Sequence, residues 1–208
     1  MDLDGDGEEE AVVFCKSNGD RPLKAYIFDL LDDQFENVAV IEGDGNAFES
    51  VEYVQLDGVP GLDIVLGRQI SDQVLHSMSA YALYDNRVVE LMSANYTEYT
   101  TVDLDLDGRT DIIVLRTDSE ERNGIVELYR YRNEQMERAP EARLSTGTEF
   151  IRRIVTGMVD TDTPAVFVAS TFEEDGLVTD VFAMKDGVFR NITSSADSGT
   201  SIQTVRSY

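Results

Sequence analysis

Four apolar runs mark out the chain: AVVF at 11–14, DIVLG at 63–67, DIIVL at 111–115 and AVFVA at 165–169. Each is apolar at consecutive positions, the pattern of a strand covered on both faces. After each run comes an alternating stretch rich in Tyr and Phe, and then a two-residue turn of the Asp-Asn or Asp-Gly kind, a strong hairpin signal. The turn pairs are Asp32-Asp33, Asp85-Asn86, Asn133-Glu134 and Asp186-Gly187, spaced by 53, 48 and 53 residues. A third strand is expected after each turn. A fourth is expected at AFESVEYV, NYTEYTTV, EFIRRIVTGMV and SIQTVRSY, the last at 201–208. No long helical period occurs. NEQMERAPEARL tolerates a helix, but Pro140 interrupts it and predicts a loop.

A second feature keeps the same register. DLDGDGEEEAVVF (2–14) and DLDLDGRTDIIVL (103–115) match position for position, and QLDGVPGLDIVLG (55–67) retains Asp57 and the closing Asp63. The closing acids Glu10, Asp63 and Asp111 are 53 and 48 residues apart. In the fourth copy, VDTDTPAVFVA, Pro164 stands where the closing acid belongs. Four copies of one unit of about fifty residues follow from this double register, at about 1–54, 55–102, 103–159 and 160–208. They form a single all-β domain in which four antiparallel strands make each unit. A lone four-stranded sheet leaves both faces wet, and stacking such sheets around an axis gives a β-propeller or part of one. The doubly apolar strand would lie innermost or next to innermost, and the aromatics would fill the gaps between sheets.

The recurring Asp-x-Asp-x-Asp-Gly-x-x-acid ahead of a hydrophobic strand resembles the FG-GAP or VCBS-type repeats of integrin α-subunit propellers and bacterial surface proteins. The resemblance covers the layout of all four units and the full acidic loop of two. It implies a propeller fold with calcium in the loops, and a role in adhesion or recognition. Familiar propellers of this family have more than four blades, so the chain is expected to be a four-bladed ring or an arc of a larger one.

Alternating residues on a curved loop point to one centre. Asp103, Asp105 and Asp107 would supply carboxylates, Arg109 its backbone carbonyl and Asp111 a final carboxylate, with Gly108 permitting the sharp turn. Hard oxygen donors in this number suit Ca²⁺ better than Mg²⁺. Without a cation, carboxylates ~4–5 Å apart repel by roughly 3–4 kcal/mol per pair at an effective dielectric of about 20. The ion would convert repulsion into attraction and fix the angle at which one blade hands over to the next. The first copy offers Asp2, Asp4, Asp6 and Glu10, with the Glu8 carbonyl as the equivalent backbone donor and Gly7 at the turn. Its place at the chain start predicts fraying. The second copy has Gln55 and Val59 where two acids belong, which predicts an ion-free, hydrogen-bonded turn. An EF-hand would need a Glu at the twelfth position and flanking helices. Val13 and Val114 stand there instead, and strands follow.

Charge narrows the partners. The net charge is -24, from 17 basic and 41 acidic side chains. Nucleic acid and anionic membranes need clustered Lys and Arg. Cations or basic proteins suit this field better. Apolar residues make up 42%, enough for a packed interior. The single cysteine, Cys15, lies in AVVFC and is expected to be a small buried hydrophobe. No apolar run reaches the ~18 residues of a membrane-spanning helix. The chain opens inside a motif, which predicts a piece of a longer protein and leaves the missing secretory signal without meaning. His76, the only histidine, is expected at the surface, in a loop or at a strand edge. Arg152 and Arg153 are the only adjacent basic pair and should point to opposite strand faces. No phosphate cradle or nucleophile elbow appears. The reading is a calcium-stabilised recognition or adhesion module for a protein or glycan partner, outside the cell or on its surface. The alternative is a calcium-dependent propeller enzyme, a phytase-like phosphatase or polysaccharide lyase.

Overall fold

The computed structural model describes residues 1–71, 75–118, 123–172 and 176–193. These form four antiparallel sheets, with no helix among the described residues. The first sheet holds β1 (Ala11–Lys16), β2 (Leu23–Leu31) and β3 (Gln34–Gly43), in that order. The second is β4 (Ala47–Val54), β5 (Asp63–Ser71), β6 (Leu75–Tyr84) and β7 (Arg87–Tyr96). The third is β8 (Glu98–Val102), β9 (Asp111–Asp118) and β10 (Asn123–Arg132), with both β11 (Gln135–Arg138) and β12 (Ala142–Arg143) paired to β10. The fourth is β13 (Phe150–Met158), β14 (Pro164–Phe172), β15 (Gly176–Lys185) and β16 (Val188–Asn191). The expected loop at 133–144 is thus two short strands broken at Pro140.

The turns have the chemistry read from the chain. Both residues of all four pairs take positive φ, from 47° at Asp85 to 74° at Gly187. That is the left-handed geometry of a two-residue hairpin whose twist matches its strands.

Sheet membership differs from expectation by one strand. AFESVEYV does not close the sheet that precedes it. As β4 it pairs forward with β5, Val54 opposite Asp63. β8 likewise pairs with β9, Val102 opposite Asp111, and β13 with β14. The loops of the second, third and fourth copies therefore each join two neighbouring strands inside one sheet, and do not hand one sheet over to the next. Alternating patterns show which residues share a face, but not on which side a strand finds its partner. In the first sheet no strand precedes β1 among the described residues. The strand expected at 201–208 lies outside them.

Consecutive sheets lie face to face over apolar clusters, and strand alternation assigns the sides. Ile64 and Leu66 of β5 pack towards Ala25 and Ile27 of the first sheet. Val65, one step along, joins Ile112 and Val114 of β9. Ile113 and Leu115 turn the other way, to Val166 and Val168 of β14. β5 and β9 are therefore buried on both faces, as their composition predicts. Tyr81 and Tyr96 fill gaps between sheets, and Ser50 and Tyr99 hydroxyls, 2.6 Å apart, tie β4 to β8. β1 is an exception. Val12 and Phe14 pack on the second sheet, but Val13 is 50% exposed. Cys15 shares that outer face and is exposed, which corrects the expectation of a buried thiol.

Candidate metal centre

In the first loop, Asp2, Asp4 and Glu10 each offer a carboxylate oxygen within 4.8 Å of the others. Asp6 stands outside this group and is exposed. The loop is wound by its own amides. Asp2 accepts from Gly5 N–H at 2.7 Å and Gly7 N–H at 3.2 Å, and Asp6 accepts from Glu8 N–H at 2.7 Å. Glu10 is 4% exposed. Its Oε2 accepts from Leu3 N–H at 2.5 Å, while its Oε1 is buried without a hydrogen-bond partner. Burial pushes the Glu10 carboxyl up, and the nearby Asp4, Asp29 and Asp2 add to this. An orphaned buried carboxylate oxygen among other carboxylates fits a hard cation, which supplies the missing partner.

In the third loop the group is Asp103, Asp105 and Asp107. Asp103 accepts from Gly108 N–H at 2.9 Å, and Gly108 takes φ 86°. Here two guanidinium groups intervene. Arg130 on β10 grips Asp111 bidentately, with Nε and Nη2 each at 2.9 Å, and reaches Asp105 at 2.9 Å. Arg109, expected to contribute only its carbonyl, folds its side chain onto Asp107 at 2.6 Å and onto the Tyr131 carbonyl at 3.2 Å. Burial raises the Asp111 carboxyl, against the pull of Arg130; Arg109 holds Asp107 below the usual carboxylate range. The donor types still fit a hard cation, but part of the charge is already balanced.

The second loop is the hydrogen-bonded turn its sequence predicts. Gln55 Nε2 donates to the carbonyls of Val59 at 2.5 Å and Gly61 at 2.9 Å. Gly61 occupies the position of Glu8 and Arg109, so the amide reaches the carbonyl that would otherwise face an ion. Gln55 Oε1 accepts from Gly58 N–H at 2.6 Å. Tyr84 donates its hydroxyl to Asp57. Asp63 has no guanidinium, and burial pushes its carboxyl up to about 7.

A residue the sequence reading passed over unites the three loops. Leu3, Leu56 and Leu104, each one place after the loop start, are at most 2% exposed. Their N–H groups donate to Glu10, Asp63 and Asp111. The closing acid thus latches a leucine into the core whether or not an ion is present. Their identical offset was the available signal. The loops also stack. Leu62 N–H donates to the Asp2 carbonyl at 2.9 Å, and Thr110 N–H to the Gln55 carbonyl at 2.5 Å. The contact is close enough that a Cβ on Gly61 would lie 2.6 Å from the Leu3 carbonyl oxygen.

Asp160 and Asp162 of the fourth copy close a short turn, with Val159 N–H on the Thr163 carbonyl at 2.9 Å. His76 sits within β6, an interior strand, not in a surface loop. It is 18% exposed, with Nδ1 2.7 Å from Glu49, which also accepts from Tyr96 at 2.6 Å. The register slips between Ile151 and Arg153, and Arg152 and Arg153 are both exposed. No family model matches this chain, and no curated protein matches it.

Proposed function

We propose that the chain is a calcium-stabilised recognition or adhesion module of β-propeller type, built from FG-GAP or VCBS-like repeats. Its four stacked sheets would be a ring or an arc of one, and its partner a protein or glycan. The observation that carries this reading is the grouping of the Asp2, Asp4 and Glu10 carboxylates in the first loop, with one buried Glu10 oxygen left without a partner. The acidic surface favours cations over anions. Loops of this kind fill at calcium levels found outside cells, which supports a location there or on a cell surface.

The enzyme alternative needs cations free to hold an anionic substrate. A cleft of 270 Å³ between the third and fourth sheets is lined by Arg130, Arg132 and Arg138. Arg130 is committed to Asp111 and Asp105, and Arg138 to Glu127 at 2.7 Å. Two of the three guanidinium groups are thus already paired, which favours recognition over phosphate or uronate chemistry.

Thermal unfolding in millimolar calcium, and again in chelator, tests the reading. Calcium at about a hundred times its Kd adds about 2.7 kcal/mol, so chelation should lower the Tm by roughly 5–10 °C. An identical melt in both buffers would refute it.

A further inference from the structure

The first and third loops share a motif but differ in what the next strand brings to them. Ala11 lies opposite Phe28 on β2, so the next step of the register sets Glu10 against Asp29. Ile112 lies opposite Tyr129 on β10, and the next step sets Asp111 against Arg130. In the second sheet Ile64 faces Tyr81, and the next step sets Asp63 against Ala82. One structural position, nineteen residues after the closing acid, therefore carries an acid, a small apolar group or a cation.

We infer that Asp29 completes a divalent-cation site with Asp2, Asp4 and Glu10, and that Arg130 is a built-in counter-charge that holds the third loop closed to calcium. The inference rests on the calcium reading above and goes further by adding a ligand from outside the motif and by ranking the loops.

At the first loop the carboxylates lack compensation. Among the described residues no Lys or Arg pairs with Asp2, Asp4, Asp6, Glu10 or Asp29. The α-ammonium of Met1 donates to the Glu10 backbone carbonyl at 3.1 Å, not to its carboxylate. Asp29 is 5% exposed, with Oδ1 accepting from Leu30 N–H at 2.6 Å. Its charge is felt at both Asp4 and Glu10. Asp29 lies outside the Asp2, Asp4 and Glu10 oxygens that fall within 4.8 Å of one another, but the register sets it against Glu10, whose Oε1 is buried without a partner. A buried acid at that place makes sense where a divalent ion sits, because burying uncompensated carboxylates together is otherwise costly. At the third loop the guanidinium already bridges the closing acid and Asp105. A calcium ion there would have to displace it or bind beside a fixed positive charge.

Calcium titration of the whole chain by calorimetry separates the loops, with far-UV circular dichroism confirming that each variant is folded. Wild type should take up one equivalent. Asp29→Asn should weaken it tenfold or more, because charge count tunes such sites, and should cut the calcium-induced rise in Tm by about half or more. Asp103→Asn should leave the affinity within twofold. Arg130→Met should gain a second equivalent, lost again when Asp103→Asn is added. An Asp29→Asn protein that binds as wild type does, or an Asp103→Asn protein that loses the first equivalent, overturns the inference while leaving the calcium reading standing. An Arg130→Met protein confined to one equivalent overturns the counter-charge half. Should that variant not fold, the Asp29 and Asp103 arms decide. Wild type that binds no calcium overturns both the inference and the reading it rests on.

Discussion

The second and third loops begin from the same geometric problem and solve it differently. Each folds a leucine into the core and closes on a buried aspartate, Asp63 or Asp111. The second replaces two acids by Gln55 and Val59, and an amide supplies the donors. Its closing acid is left to carry its own burial, and Asp63 is displaced upward to about 7. The third keeps every acid and imports Arg130 from the neighbouring strand. Hydrogen bonds from a neutral amide organise a turn but do not neutralise a buried charge. A guanidinium does both, and in exchange makes the loop dependent on a single residue.

The largest expected effect breaks the third loop. Arg130→Met in calcium-free buffer leaves Asp111 buried without its partner, an error that costs about 3–5 kcal/mol. Equilibrium urea unfolding should show this as a lower midpoint. A loss below about 1 kcal/mol would mean that the guanidinium contributes little to the loop.

A smaller effect should appear at the second loop, and it depends on pH. The folded state raises Asp63 to about 7, so it retains a proton that the unfolded chain releases near pH 4. Stability therefore falls as pH rises from about 4 to about 7 and levels off above that. Asp63→Asn keeps an acceptor for Leu56 N–H and removes the titration. Its Tm should exceed wild type by roughly 5 °C at pH 8, with the gap closing towards pH 4–5. A pH-independent difference would show that Asp63 titrates normally.

The smallest effect concerns the fourth loop position. Gly5 and Gly58 take φ 80° and 81°, and Leu106 takes 59° in the third loop. A leucine held in the left-handed region costs about 1–2 kcal/mol, partly offset by the extra unfolded-state freedom of glycine. Leu106→Gly should stabilise the chain by about 0.5–1 kcal/mol, read from chemical denaturation. A neutral or destabilising outcome would show that the 58% exposed side chain has favourable contacts of its own.

What could be read from the chain was whatever recurs locally. Four turn pairs at matched spacing predicted four left-handed hairpins, and every one forms. The loop acids recur in the same way, and two groups of them converge. Partners chosen by the sheet were hidden. Arg130 and Asp29 lie on another strand, and only the register sets them against Asp111 and Glu10; their shared offset means something only once that register is known. Strand order was hidden for a related reason. β4, β8 and β13 have edges that could bond to either side, and alternation does not distinguish forward from backward pairing. Cys15 was misjudged because AVVFC looks like its inner counterparts, while β1 belongs to a sheet whose outer face is open.

The bonds from Leu62 to Asp2 and from Thr110 to Gln55 join the same two positions in successive copies. They form a spine of backbone contacts down one rim, indifferent to side-chain identity but sensitive to phase. Inserting or deleting one residue in a loop would throw the donor out of step with the carbonyl above it, whereas exchanging an acid would not. The abbreviated fourth loop donates no such bond to Asp103 among the described residues. Length, rather than acidity, is what this rim constrains most tightly.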